Sequence, residues 1–285
     1  MKRIKKSSIP QALQEYVVKY DQDSPRHSWK EFCKDVSAKH KIQKQLQDDQ
    51  RGLCAYCEID FIDPPRVINV ASGNSEPLKS DFRVEHFHPK SDGVGWELDW
   101  KNLLGVCCGG DEKFVAGKRY CCKADRHCDS VKHNKNLDGI ILNPLEIPAF
   151  PCLFKVKNGI GKNGKEETIE EGNFPQNETR LYVDYNNARL FTTVSRAVLE
   201  RAQNTIQELR LNSPFLSRLR YEAMDCIFTK LAVLIEDVGD EEEAKRILMR
   251  DVFPKEGNWF PFFTTIRAEF GRYAEERLEE IGYDG

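Results

Sequence analysis

No run of about 18 apolar residues occurs in this 285-residue chain, so nothing in it reads as a membrane-spanning helix. The N-terminus, MKRIKKSSIPQ, is basic but has no apolar stretch behind it, which argues against a secretory signal. No GxxxxGK followed by Ser or Thr is present, so the chain lacks the usual phosphate-cradling loop of nucleotide hydrolases. Internal repeats and heptad arrays are also missing, which argues against solenoids and coiled coils. With no sign of export, a cytoplasmic location is expected. Ten cysteines in a reducing compartment then point to metal rather than to a disulfide framework.

The net charge of −3 is unevenly spread. Residues 1–50 carry 11 Lys+Arg against 7 Asp+Glu, net +4, and residues 113–135 carry 7 against 2, net +5. Residues 200–285 carry 12 against 18, net −6. A local basic patch can meet a phosphate backbone even on an acidic protein, whereas the C-terminal part is a poor surface for one.

An α+β protein in three segments is expected. In residues 1–50, Trp29, Phe32, Cys33 and Val36 keep helical spacing and Ile42 and Leu46 continue the stripe, with Ser28 and Glu31 as a capping box. Residues 51–150 are rich in Gly, Pro and Cys with short apolar runs, which suits hairpins and loops. Residues 151–285 begin with a polar stretch over 157–179, an exposed loop or polar hairpin at a boundary. A short strand, RLYVDY, and three or four helices follow. Val194, Val198, Ala202, Ile206 and Leu209 mark the first helix, Ser213-Pro214 starts a second through about Asp237, Asp240 a third, and a last covers about 264–281.

Four motifs occur in order: Cys54-Ala-Tyr-Cys57; Arg83-Val-Glu85-His86-Phe-His88-Pro89-Lys90; Trp100-Lys101-Asn102-Leu103-Leu104-Gly-Val-Cys107; and His127-Cys128-Asp129-Ser-Val-Lys132. A CxxC turn brings two thiolates to one side of a metal, and Cys107 and Cys128 fit best as its remaining ligands. Cys108, Cys121, Cys122 and His127 are surplus, either a second site or buried groups. Phe82, Val84 and Pro89 suggest a strand ending at a turn, on which Glu85 and His86 point to opposite faces and His86 shares a face with His88. An imidazole can act as general base for phosphodiester hydrolysis, and a neighbouring carboxylate can hold a divalent cation.

Taken together, these motifs resemble the HNH endonuclease family, and more closely the HNH proteins of Septu-type anti-phage systems, also found beside some retrons. The resemblance rests on CAYCE, VEHFHPKS, DWKNLLGVC and the Asn204–Leu216 pattern, and covers roughly residues 45–220. It implies a zinc-stapled ββα-metal module between an N-terminal helical segment and a C-terminal helical domain. It implies structural Zn²⁺ on Cys54, Cys57, Cys107 and Cys128, and a catalytic Mg²⁺ or Mn²⁺ on Glu85 and Asp129. His86 would be the base and Asn102 the loop anchor. Asp129 stands where the family usually has His or Asn, and His127, His133 and Asn134 are rivals for that position. The 20 residues between Cys107 and Cys128 replace the two usual in the family.

The activity implied is cleavage of nucleic acid, DNA favoured over RNA or tRNA, in a defence complex with an ABC/SMC-like ATPase. A catalytically silent zinc-bound adaptor is the alternative. Trp96 and Trp100 are either a base-stacking platform or core, and Trp259, Phe260, Phe262 and Phe263 are either core or a docking patch. The C-terminal helices are expected to dock the ATPase, and truncation after about Asp184 is expected to leave the zinc module folded.

Overall fold

The computed structural model describes residues 1–61, 66–68, 75–77, 82–93, 95–110, 123–159, 175, 177–187 and 193–285. Cys121, Cys122 and the part of the basic stretch over 113–122 lie outside the described residues. The architecture is α+β, with nine helices and three two-stranded antiparallel hairpins among the described residues. No described helix is long and apolar enough to cross a membrane.

The N-terminal segment forms α1 (Gln11–Lys19), α2 (Trp29–Phe32) and α3 (Val36–Asp49). Ser28 caps α2 by accepting from Glu31 N–H, as the capping-box pattern predicts. The single helical stripe expected through Leu46 is interrupted, because the Asp35 side chain accepts from Ala38 N–H and opens a new helix. Val36 is consequently 60% exposed, while Trp29, Phe32, Ile42 and Leu46 are buried.

Next come β1 (Arg66–Ile68) and β2 (Ser75–Pro77), paired antiparallel, then the central hairpin of β3 (Phe82–His86) and β4 (Leu103–Cys107). Its register runs from Phe82↔Cys107 to His86↔Leu103. Strand alternation divides β3: Arg83 and Glu85 share one face, and Phe82, Val84 and His86 share the other. The second face packs on the N-terminal helices, in a cluster with Trp29, Phe32, Ile42 and Leu46. Gln50 locks α3 to the hairpin. Its amide donates to Leu53 and Gly105 carbonyls at 2.8 Å and accepts from Gly105 N–H at 2.7 Å.

A short helix, α4 (Asp129–Lys132), follows the hairpin. The polar stretch around 157–179 is bounded by the hairpin strands β5 (Phe154–Asn158) and β6 (Thr179–Val183). The C-terminal helices are α5 (Arg196–Glu208), α6 (Pro214–Val238, capped by Ser213), α7 (Glu241–Val252, capped by Asp240), α8 (Phe263–Phe270) and α9 (Arg272–Glu280). The last expected helix is thus two, parted at Gly271, whose φ of +50° and ψ of −116° take it out of helical geometry.

One core cluster runs through all three expected segments, holding Ile4, the four cysteines 54, 57, 107 and 128, and Leu199, Leu216 and Phe262. Trp259, Phe262 and Phe263 are at most 4% exposed. Three of the four aromatics of the run are therefore core, and Phe260 is partly buried against the cluster that holds Trp259 and Phe263. Leu199, Ile206 and Leu216 belong to the same core cluster as the cysteines, and Cys128 N–H bonds the Leu209 carbonyl, so the C-terminal helices and the cysteines share one core.

Candidate metal centre and active site

The thiols of Cys54, Cys57, Cys107 and Cys128 are all buried, and their sulfur atoms lie within 4.8 Å of one another. Cys57 Sγ and Cys107 Sγ are 3.6 Å apart, and Cys107 N–H donates to Cys54 Sγ at 3.3 Å. The CxxC turn supplies two sulfurs and the end of β4 the third. Cys128 supplies the fourth from a strained backbone, φ +50° in a residue with a Cβ, anchored by its N–H to the Leu209 carbonyl at 2.9 Å. Burial pushes the Cys57, Cys107 and Cys128 thiols up. Burial opposes ionisation of Cys54 as well, but its three neighbours hydrogen-bond it and hold it well below the usual thiol range. Four thiols packed this closely form a group that could hold one metal ion.

His127 is fully buried beside this cluster. Its Nδ1 meets the Asp125 carbonyl at 2.8 Å, its Nε2 lies 3.6 Å from Cys107 Sγ, and burial lowers its pKa to about 4. Cys108 is also buried. The chain returns to the cluster across Gly109, where a Cβ would stand 2.0 Å from the His127 carbonyl oxygen and φ is +60°. Only glycine fits there.

Between β3 and α4 four charges meet, Arg83 and Glu85 from the strand and Asp129 and Lys132 from the helix. Lys132 Nζ is 2.7 Å from Glu85 Oε1 and donates to the His86 carbonyl at 3.1 Å, and Arg83 Nη1 is 3.1 Å from Asp129 Oδ2. Glu85 and Asp129 thus face each other across β3 and α4, each paired with a cation. Burial raises the Glu85 carboxyl to about 8, with Lys132 pulling it down and Asp129 pushing it further up. Of the four residues weighed for the last HNH position, Asp129 faces Glu85, His127 faces the thiols, and His133 and Asn134 are exposed.

His86 lies on the other face of β3, 7% exposed, with Nε2 2.9 Å from the Glu97 carbonyl and its ring edge-on to Trp29. Burial lowers its pKa. Asn102, in a 3₁₀ turn before β4, spans the intervening loop. Its Oδ1 accepts from His88 N–H at 2.7 Å, and its Nδ2 donates to the His88 and Trp96 carbonyls at 2.9 Å each. His88 Nδ1 lies 2.6 Å from Asp138 Oδ2, and its ring packs on Trp96 at 4.1 Å between centroids.

Sequence reasoning missed the roles of Arg83, Glu97, Asp138 and Gln50. Arg83 was legible in principle, two residues before Glu85 on an alternating strand. Nothing in the local pattern marks Asp138, which comes from a different stretch of chain.

No family model matches the chain. The chain is 30% identical over 177 residues, 57% of its length, to an Escherichia coli protein designated a candidate HNH endonuclease of retron Ec83. The match spans 61% of that relative's length. It agrees with the resemblance to HNH endonucleases carried by the four motifs.

Proposed function

We propose that this chain is a metal-dependent HNH endonuclease that hydrolyses phosphodiester bonds, DNA favoured, with a zinc-stapled ββα-metal module formed by β3, β4 and α4. The observation that carries this reading is the four-thiol cluster, which joins the end of β4 to the start of α4 beside the paired Glu85 and Asp129. Zinc suits the thiols, since bonds of about 2.3 Å in a tetrahedron separate sulfurs by about 3.8 Å. The Cys57–Cys107 separation of 3.6 Å accords with that value. Mg²⁺ or Mn²⁺ suits the carboxylates, because Mg²⁺ is usually held by one or two carboxylates and completes its shell with waters and substrate phosphates. Such a cation supplies Lewis-acid polarisation of the scissile phosphate and charge for the leaving oxygen.

His86 is the proposed base. Its lowered pKa keeps the ring neutral near pH 7, and with Nε2–H donating to the Glu97 carbonyl, Nδ1 is the nitrogen able to take a proton. Asn102 fixes the loop that follows and with it the end of β3. His86 faces away from the carboxylates there, so its role as base needs a local twist of the strand end on substrate binding. His88, on the same loop and oriented by Asp138, is the rival base.

The relative's designation within a retron fits a defence setting. An ABC/SMC-like ATPase partner and a cytoplasmic location are proposed from the resemblance alone. A second reading, a silent zinc-bound nucleic-acid adaptor, draws support from Lys132 and Arg83, which already neutralise both carboxylates.

The test is incubation of purified protein, alone and with the ATPase, with plasmid and with tRNA, in Mg²⁺ or Mn²⁺. Plasmid cleavage is expected, lost in Glu85→Ala and reduced about 10²-fold or more in His86→Ala. If His88→Ala is the dead variant instead, the base is His88. Cleavage of tRNA with intact plasmid would move the substrate to RNA, and no cleavage under any condition leaves the adaptor.

A further inference from the structure

The two tryptophans flanking Asp99 have different surroundings. Trp100 is buried, its indole N–H donates to the Ser7 carbonyl at 3.0 Å, and the Lys6 ammonium lies 3.3 Å from its ring centre. Trp96 is 39% exposed, yet it is held. Its ring packs on His88, His88 is fixed by Asp138, and the Trp96 carbonyl is bound by Asn102. An exposed aromatic ring gains little from folding, so one kept rigid from below and bare above suits a ligand with a flat apolar face.

Trp96 and His88 line a cleft of about 640 Å³, a size that accommodates a nucleotide. Its cations outnumber its acids. Asp99, Asp138 and Glu146 are on the wall against Arg3, Lys5, Lys6, Lys101 and Arg201. Of these, Lys101 and Arg201 make no ion pair with any described residue. The net charge of the wall is therefore positive, beside an exposed ring that packs on His88, two residues along the chain from His86.

We infer that this cleft seats an unpaired nucleotide of a single-stranded nucleic acid, its base stacked on Trp96 and its phosphates against Lys101 and Arg201. The inference rests on the nuclease reading, and deepens it by naming the form of the substrate strand. In a duplex each base face is already covered by its neighbours, so a stacking platform selects a strand that is single or locally opened. Stacking tolerates every base, which predicts strand selectivity without sequence selectivity.

The experiment measures fluorescence anisotropy of labelled 12-nucleotide dT, its RNA counterpart and a matched DNA duplex. Ca²⁺ replaces Mg²⁺ so that binding is read without cleavage. Single strands should bind at least about tenfold more tightly than duplex, and Trp96→Ala should lose about tenfold of that affinity while Trp96→Phe keeps most of it. Lys101→Gln and Arg201→Gln should each flatten the slope of log affinity against log salt by about 0.7. The DNA and RNA arms tell which sugar is preferred. Equal binding of duplex and single strand, or an unchanged affinity in a folded Trp96→Ala protein, overturns the seat. If plasmid is still cut in Mg²⁺ in that case, the nuclease reading survives. Conversely, the predicted binding pattern without cleavage of any nucleic acid upholds the seat and removes the nuclease.

Discussion

Lys132 holds the end of β3 from within: its buried ammonium is 2.7 Å from the Glu85 carboxylate and 3.1 Å from the His86 carbonyl. Removing one partner of such a buried pair strands the other. Above about pH 8, where Glu85 is ionised, Lys132→Met should therefore lower stability by about 3–5 kcal/mol, whereas the Glu85→Gln, Lys132→Met double variant should recover much of the loss. Denaturant melts of the four proteins of this cycle measure the coupling. Additive effects would mean that the pair does not form.

The proposed metal site has a pH signature. Glu85 titrates near 8 in the folded protein, because burial outweighs the help of Lys132. At pH 6–7 the carboxyl thus carries a proton that a cation must displace. Mn²⁺ affinity should rise by about tenfold per pH unit up to about pH 8 and then level. Titration calorimetry across pH 6–9 gives the slope. A flat profile would remove Glu85 from the ligand set. For the metal-free fold the sign is opposite: the native state holds this proton more tightly than the unfolded one. Stability from Glu85 is full below its unfolded value, near 4.3, and is lost as pH rises through 8.

One zinc per chain is expected by elemental analysis, with chelation or Cys54→Ser yielding misfolded or insoluble protein. The cysteines lie within the cluster that joins all three segments. Loss of metal should therefore unfold more than the hairpin, and near-complete loss of the circular dichroism melt is the expected observation.

Asn102→Ala removes the three hydrogen bonds that bind the loop to residues 88 and 96. Stability should fall by about 2–3 kcal/mol, each bond being worth about 1. Hydrogen exchange should speed up first at His88 and Phe87. Asn102→Asp keeps the acceptor for His88 N–H but loses both donors, so it should lie between wild type and Ala.

Truncation after Asp184 should give protein that neither melts cooperatively nor retains zinc, since the core cluster holding the thiols loses Leu199, Ile206 and Leu216 and Cys128 N–H loses the Leu209 carbonyl. A soluble, zinc-loaded fragment would contradict this.

Much of the thiol cluster was legible in the sequence because a CxxC turn and two further cysteines have few other uses in a reducing compartment. Ser28, Ser213 and Asp240 as caps were legible for a local reason too: each side chain bonds a backbone N–H two or three residues on. What escaped depended on distance along the chain. Asp138 reaches His88 from 50 residues away, and Gln50 reaches Gly105 from 55. The break at Asp35 escaped because an apolar stripe and a capping side chain compete there, and the cap prevails. The opposite facing of Glu85 and His86 follows from strand alternation alone, and the register bears it out.

The thiol cluster also bears on how this chain can change over generations. Cys107 and Cys128 are brought together whatever joins them, and 20 residues do so here. Doubling such a loop costs only about 0.6 kcal/mol in closure entropy. By chain entropy alone, a change of length between these two cysteines burdens the fold little. Lineages carrying this scaffold can be expected to differ in length there, and to acquire new substrate contacts there without rebuilding what lies beneath.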